Sequence, residues 1–408
     1  MSDDSVLVAG AGPVGVLTAL GLARCGVRVT VLECEPAIVD SPRAVVYHWS
    51  VLDGLERLGV LDQARRTGLV KQDYMYRVFR TGESIRWSLA GLAGHTRHPY
   101  NVHLGQNRLA GIALTQLQAL PGTAVHWNTR VTGLEQDQAG VTVRASTPEG
   151  PREYRAGWVV GADGARSAVR QALGLEFYGI TWPERFVATN VRFDFTRLGL
   201  ALATLMIDPR YGAIIVKIDS SGLWRCTYCE DATLPDESVG ERIPAYFRAL
   251  LGPGADYELV QYSPYRMHQR AADRFRVGRV LLAGDAAHVT NPTGGLGLTS
   301  GLFDCYVLYE ALAAVIRGEA GEAVLDRYAQ ERRRTFWERA SPQACENKRL
   351  IYHSHEPERL ARDLESLRRL QTDEAFMIER SSFTKSLESP SLLGALEPVD
   401  RGFTGPGR

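Results

Sequence analysis

Within the first 33 residues an apolar run, Val6-Leu7-Val8-Ala9, leads through Gly10-Ala11-Gly12-Pro13-Val14-Gly15 into an apolar-rich stretch ending at Arg24. Val27-Arg28-Val29-Thr30-Val31-Leu32-Glu33 follows. This order predicts strand, glycine turn, helix and strand, a βαβ unit that commits the chain to an α/β fold. The Gly-x-Gly-x-x-Gly spacing lets backbone approach a pyrophosphate, and the helix behind it offers unpaired N–H groups and the positive end of its dipole. Glu33 closes the second strand, where its carboxylate can accept from a ribose hydroxyl. Gly10, Gly12, Pro13, Val14, Gly15 and Glu33 are therefore candidate contacts to a dinucleotide, with NAD and FAD both open.

With 408 residues and 45% hydrophobic content, the chain can bury more than one core, and two lobes are expected. Strands predicted within 185–229 lack the intervening helices that a parallel sheet requires, so they read as an antiparallel sheet of a second domain. Arg279-Val280-Leu281-Leu282-Ala283 returns to a strand, then Gly284-Asp285, a glycine-rich loop and a helix from about Leu298 to Arg317. That helix is apolar nearly all round and should be buried. Beyond 322 the chain turns charged and helical, with leucines at 360, 364, 367 and 370 that could seat a homodimer as easily as pack on their own chain, and its last twenty residues read as a loose tail.

Forty-seven basic residues balance forty-seven acidic ones, so no net field attracts nucleic acid or an anionic membrane. The acidic N-terminus and the glycines from Gly10 onward argue against a signal peptide or a spanning helix there, and the cytoplasm is the expected location. Six scattered cysteines make no disulfide framework. The single Cys-x-x-Cys, Cys226 and Cys229, sits in a predicted strand, where positions i and i+3 face opposite ways, so both are packing residues and no metal site is expected.

Two more motifs follow strands: Gly161-Ala162-Asp163-Gly164, and Gly284-Asp285-Ala286-Ala287-His288 with Pro292, Gly294, Gly295 and Gly297 opening the next helix. With Gly10–Gly15 and Ser41-Pro42-Arg43-Ala44, in this order, the chain resembles the class A flavoprotein monooxygenases, the para-hydroxybenzoate hydroxylase-like family, over residues 5 to about 317. The resemblance implies a three-layer, Rossmann-like α/β FAD domain (1–69, 104–174 and 273–320), an inserted antiparallel-sheet substrate domain (70–103 and 175–272) and a C-terminal helical region with tail (321–408). It implies non-covalent FAD, reduced by NADPH or NADH. Asp285 would bond a ribitol hydroxyl, and Pro292, Gly295, Gly297 and Leu298 would hold the flavin at the helix N-terminus. Arg43 would meet the pyrophosphate, Gln106 would touch the cofactor, and Asp163 would fix the turn beside the nicotinamide approach. Thr299 departs from the asparagine many members carry, which removes a side-chain amide contact. The thioredoxin-like domain of many members is not expected.

The activity implied is hydroxylation of a phenol or hydroxypyridine with O2 through a C4a-hydroperoxyflavin, which reacts only with an electron-rich ring. The protein must remove the phenolic proton, a task for Tyr or His. Tyr211 and His48 are the candidates, ahead of Tyr228 and His268, while Arg210 could pair with a substrate carboxylate and His288 belongs to its turn. The scaffold leaves open an epoxidase, a Baeyer–Villiger-type oxygenase or a non-catalytic flavin module. No second Gly-x-Gly-x-x-Gly follows a strand, which favours hydroxylase over a reductase with two dinucleotide domains.

Overall fold

A computed structural model describes residues 4–40 and 44–393. The Val6–Ala9 strand lies near the centre of a six-stranded sheet, buried on both faces as its unbroken apolar run requires. It pairs in parallel with Val29–Leu32 on one side and Trp158–Gly161 on the other; Thr123–His126 and Val280–Leu282 extend the two wings in parallel. The helices Pro13–Arg24, Gln106–Gln118 and Leu296–Ile316 cover one face. An antiparallel meander, Arg130–Gln136, Val141–Thr147 and Gly150–Ala156, adds Val131, Val141, Val143 and Ala156 to the same core. Helix Leu296–Ile316 is long and apolar enough to cross a bilayer by composition, but it is buried in this core, where Gly21 lets the ring of Tyr309 approach the first helix.

A second, eight-stranded sheet runs His288–Val289, Glu258–Ala272, Phe177–Arg192, Leu223–Asp231, Ala213–Lys217, Ala203–Ile207, Asp73–Val78, Ser84–Ser88. It is antiparallel except where Ala203–Ile207 meets Asp73–Val78 in parallel, because those two strands come from distant parts of the chain. The 70–103 segment does not stay in one sheet: Asn101–His103 instead pairs with Val46–Tyr47 and Leu69–Lys71 in a small sheet of its own.

One face of the large sheet packs Val187, Ile215, Cys226 and Tyr228 against Ile243 and Phe247 of helix Val239–Leu251. Cys226 joins this layer, whereas Cys229 joins Phe186, Met267 and Tyr352 on the other face, so the pair splits across the strand as its spacing requires. The leucine stripe of the charged C-terminal region does not wait for a second subunit. Leu364, Leu367 and Leu370 bury against Tyr76, Val78, Ile85 and Ile207 of this same chain. Of the expected tail, Leu392 is buried; residues 394–408 lie outside the described residues.

Candidate active site

The two sheets and the C-terminal helices enclose a cavity of about 1800 Å³. One end of it is built from turns. Gly10 takes φ +103°, and a Cβ there would stand 2.4 Å from the Ala162 carbonyl oxygen, so the first and second motifs touch backbone to backbone. Gly12 has nothing within 4 Å of where a Cβ would point and faces the cavity beside Pro13 and Val14. Gly15 lies beneath the turn, with its missing Cβ 2.0 Å from Gly10 O, and permits the close packing instead of lining the cavity. Glu33 lines the cavity and braces the loop: Oε2 accepts from Ala11 N at 2.6 Å and Oε1 from Glu35 N at 3.0 Å.

Asp163 has a comparable double role. Oδ2 accepts from Ala168 N (2.7 Å) and Val169 N (3.1 Å), tying down the Asp-Gly turn, while buried Oδ1 finds no partner among the described residues; burial pushes the carboxyl pKa up. Asp285 sits on the one-turn helix Gly284–Ala286, exposed toward the cavity while every other residue from Val280 to Val289 is buried. Pro292, Gly295, Gly297 and Leu298 line the cavity where helix Leu296–Ile316 begins, and Gln106 lines it at the start of its own helix. Gly295, at φ +68°, is the N-cap and contributes no capping side chain, so the first-turn N–H groups remain available to a ligand. Thr299 turns its hydroxyl back to Gly295 O at 2.9 Å, away from any such ligand. These turns suit a long dinucleotide with a flavin: a backbone cradle open at Gly12, a carboxylate facing inward and a helix N-terminus. Arg43 lies outside the described residues.

His48 lines the cavity and meets the 292–298 loop. Its Nε2 is 2.9 Å from Gly294 O, and Asn101 Nδ2 donates to its Nδ1 at 3.3 Å, so Nε2 carries the proton given to Gly294. Asn101 also donates to the Tyr74 hydroxyl and accepts from Trp49 N at 2.7 Å. Burial lowers the His48 pKa below the ordinary histidine value, partly offset by the Gly294 bond, and raises that of Tyr74. Beside Tyr74, the ring of Trp87 stacks on both Tyr74 and Tyr76, and all three line the cavity.

Tyr211 does not reach this place. It packs between Phe79 and Tyr246 in the layer against helix Val239–Leu251, on the far face of the sheet, and Arg210 covers its ring. Tyr228 stacks on Tyr246 in that same layer. Tyr74, Trp87 and Asn101 carry no motif. In sequence, Tyr74 and Trp87 fall in the 70–90 stretch, whose alternation marks strands with two faces but not which face meets a ligand, and Asn101 lies beyond it.

Residues 3–341 match the FAD binding domain family. The chain belongs to that family. It is 48% identical over 349 residues, 85% of this chain and 89% of the relative, to the 6-hydroxy-3-succinoylpyridine 3-monooxygenase HspB of Pseudomonas putida. It is 45% identical over 381 residues, 92% and 93% of the two chains, to the para-nitrophenol 4-monooxygenase of a Pseudomonas species. The crystal structure of the p-nitrophenol 4-monooxygenase PnpA of Pseudomonas putida superposes with a TM-score of 0.91 at 43% identity, over 95% of this chain and 99% of that one. A ternary complex of an aklavinone-11 hydroxylase with FAD and aklavinone gives 0.77 at 31%, over 87% and 70%. The protein is thus a single-component, FAD-dependent aromatic monooxygenase using NAD(P)H and O2. This settles the choice against the epoxidase, Baeyer–Villiger and non-catalytic readings.

Proposed function

We propose that this monooxygenase oxygenates a phenol or hydroxypyridine at the ring carbon para to its hydroxyl, where the ring carries a substituent. In the names of both bacterial relatives the oxygenated position is the one that bears the nitro or succinoyl group, and it stands para to the hydroxyl. The observation that carries the proposal here is the hydrogen-bonded set His48, Asn101 and Tyr74, which joins the cavity's aromatic wall to Gly294 of the loop assigned to the flavin.

Bound FAD, once reduced, supplies the electrophilic oxygen derived from O2. The chain's own residues must make the ring electron-rich and keep water out. Trp87, Tyr76 and Tyr74 offer a flat aromatic wall for a planar substrate. The oxygen of Tyr74 accepts from Asn101, which leaves its O–H free to orient toward a substrate oxygen. His48 is the proton acceptor: burial keeps it neutral, and a substrate hydroxyl reaching Nδ1 replaces Asn101, whose amide stays with Tyr74 and Trp49 N. Loss of the phenolic proton sends electron density to the para carbon. Gln106, Asp163, Asp285 and the 292–298 loop hold the cofactor in this reading.

The reductant has a matching surface. Arg166, Arg266 and Arg270 line the cavity around His268, whose pKa is lowered by burial and then by these three guanidiniums. Among the described residues, Arg266 donates to Ala232 O and Arg270 to Thr181 Oγ1, both neutral oxygens, so their charge is available to the phosphates of NADPH or NADH.

Anaerobic mixing of the holoenzyme with NADPH or NADH, with and without a panel of para-substituted phenols and hydroxypyridines, tests the proposal. Flavin bleaching accelerated by such rings, with release of the substituent on admitting air, is the expected result. Acceleration only by rings unsubstituted at the para position would overturn it.

A further inference from the structure

A buried charge centre lies outside the cavity. Asp304, on helix Leu296–Ile316, is 0% exposed, and the side chains it meets, His288 and Arg332, are each 1% exposed. Its Oδ2 accepts from His288 Nε2 at 2.7 Å and from the backbone N–H of Gly284 at 2.9 Å; its Oδ1 accepts from Arg332 Nε at 2.7 Å. Isolated, a carboxylate here would cost several kcal/mol. Burial raises the Asp304 pKa, but His288 and Arg332 outweigh it and bring the group down to about 2. His288 is itself clamped between the rings of Phe275 and Phe336. An ion pair needed only to join two helices would have no reason to include a turn's backbone N–H.

What the carboxylate joins gives it a further role. Gly284 opens the one-turn helix that carries Asp285. On the other side, Arg332 reaches beyond Asp304: Nη1 donates to Leu387 O at 2.7 Å and Ser389 Oγ at 3.0 Å, and Nη2 to Ser300 O at 3.2 Å. Leu387 ends the short helix Ser382–Leu387, whose Ser382, Phe383, Thr384 and Ser386 form part of the cavity wall. The same segment is held at its start, where Trp49 Nε1 donates to Ser381 O at 2.9 Å, immediately after His48. One carboxylate thus fixes both the turn that presents Asp285 and, through one guanidinium, the C-terminal strap that walls the cavity.

The geometry points to Asp304 as a positioning residue that couples FAD occupancy to docking of the strap, residues 382–389. The coupling is reciprocal: FAD held on the Gly284–Asp285 turn favours the docked strap, and a docked strap slows FAD release. This rests on the reading of that turn as an FAD contact.

The test measures two quantities in the purified protein: the rate of FAD dissociation, by recovery of flavin fluorescence, and amide hydrogen exchange of residues 382–389 with and without FAD. In the wild type FAD protects the strap. Asp304→Asn keeps the shape but loses the charge, and it is expected to release FAD about 10-fold faster, the factor that a coupling of roughly 1.4 kcal/mol represents, and to abolish FAD-dependent protection. Arg332→Lys keeps a cation for Asp304 but loses the arm to Leu387 and Ser389; it should show the same two changes more weakly, and it carries the test alone if Asp304→Asn does not fold. Wild-type FAD release in the folded variants overturns the coupling. So does strap protection by FAD that persists unchanged in them, which would mean direct contact only. Asp285→Ala separates the two levels: wild-type FAD binding in that variant removes the underlying reading of the turn, whereas FAD loss there with wild-type behaviour in Asp304→Asn removes the coupling alone.

Discussion

The two ends of the cavity are built by opposite rules. At the nucleotide end the chain offers backbone: Gly10–Gly15, Asp163-Gly164, Gly284-Asp285 and Pro292–Leu298 are all turns where the backbone approaches closely, three of them at strand ends of the parallel sheet, and only a few side chains point inward. At the end proposed for the substrate it offers side chains from several strands, Tyr74, Trp87 and Asn101 among them, brought together by pairing register. The first kind of site is specified locally, by residue types that a turn demands. The second exists only once the sheet has formed, so a residue's neighbour in sequence says little about its neighbour in the cavity.

Substitutions at the two ends should therefore fail differently. The largest effect on cofactor binding is expected for Asp285→Ala, which should leave a folded protein with at least 100-fold weaker FAD binding, about 2.7 kcal/mol, read from the ratio of flavin to protein absorbance and from circular dichroism. A yellow, fully flavinated variant would erase the distinction. His48→Gln should do the reverse, retaining FAD while lowering kcat/KM by about 10²–10⁴, with the loss shared by Tyr74→Phe in smaller measure. Because the His48 pKa is lowered, the wild-type base is expected to remain neutral down to a pH below the ordinary histidine value, and the acid limb of kcat/KM should lie there.

Lys71 sharpens the comparison from the side of stability. Its ammonium is buried with no hydrogen-bond partner among the described residues, 4.4 Å over the Tyr74 ring, and burial lowers its pKa to about 7, with Asp73 opposing. The unfolded chain binds this proton up to about pH 10.4, so between pH 7 and 10 the unfolded state holds more protons and stability rises with pH. Lys71→Met should therefore be more stable than wild type at pH 7 by roughly 1–3 kcal/mol in urea unfolding, and the gap should shrink by pH 9. A gap that stays constant would mean the group is not neutralised on folding. Gly295→Ala should cost about 1 kcal/mol, since φ +68° disfavours a side chain and its Cβ would lie 3.1 Å from His48 Nε2, so one change disturbs both ends. The smallest effect belongs to Tyr211→Phe, expected within two-fold of wild-type turnover, because its ring serves an apolar layer the substrate does not enter.

The βαβ start, the antiparallel insertion and the buried helix after Pro292 were legible because periodicity and turn chemistry are local properties of a chain. So were the glycine turns at one end of the cavity, since a left-handed or closely approached backbone position demands glycine wherever it occurs. Alternation in 70–90 gave two faces of a strand, but nothing local says which face another lobe will cover. Tyr211 was a candidate by residue type, and packing against Phe79, Tyr246 and the layer of helix Val239–Leu251 places it away from the cavity lining. The leucines of 360–370 announced an apolar stripe without naming its partner, which proved to be this chain's own sheet. By itself, then, the sequence determined the βαβ start of an FAD-binding fold and the turns that line one end of the cavity, because those requirements are written in single residues. Only the tertiary structure decided that His48, Asn101 and Tyr74 share one hydrogen-bonded set and that Asp304 links Gly284, through Arg332, to the C-terminal strap, because such contacts depend on register and packing summed over the whole chain.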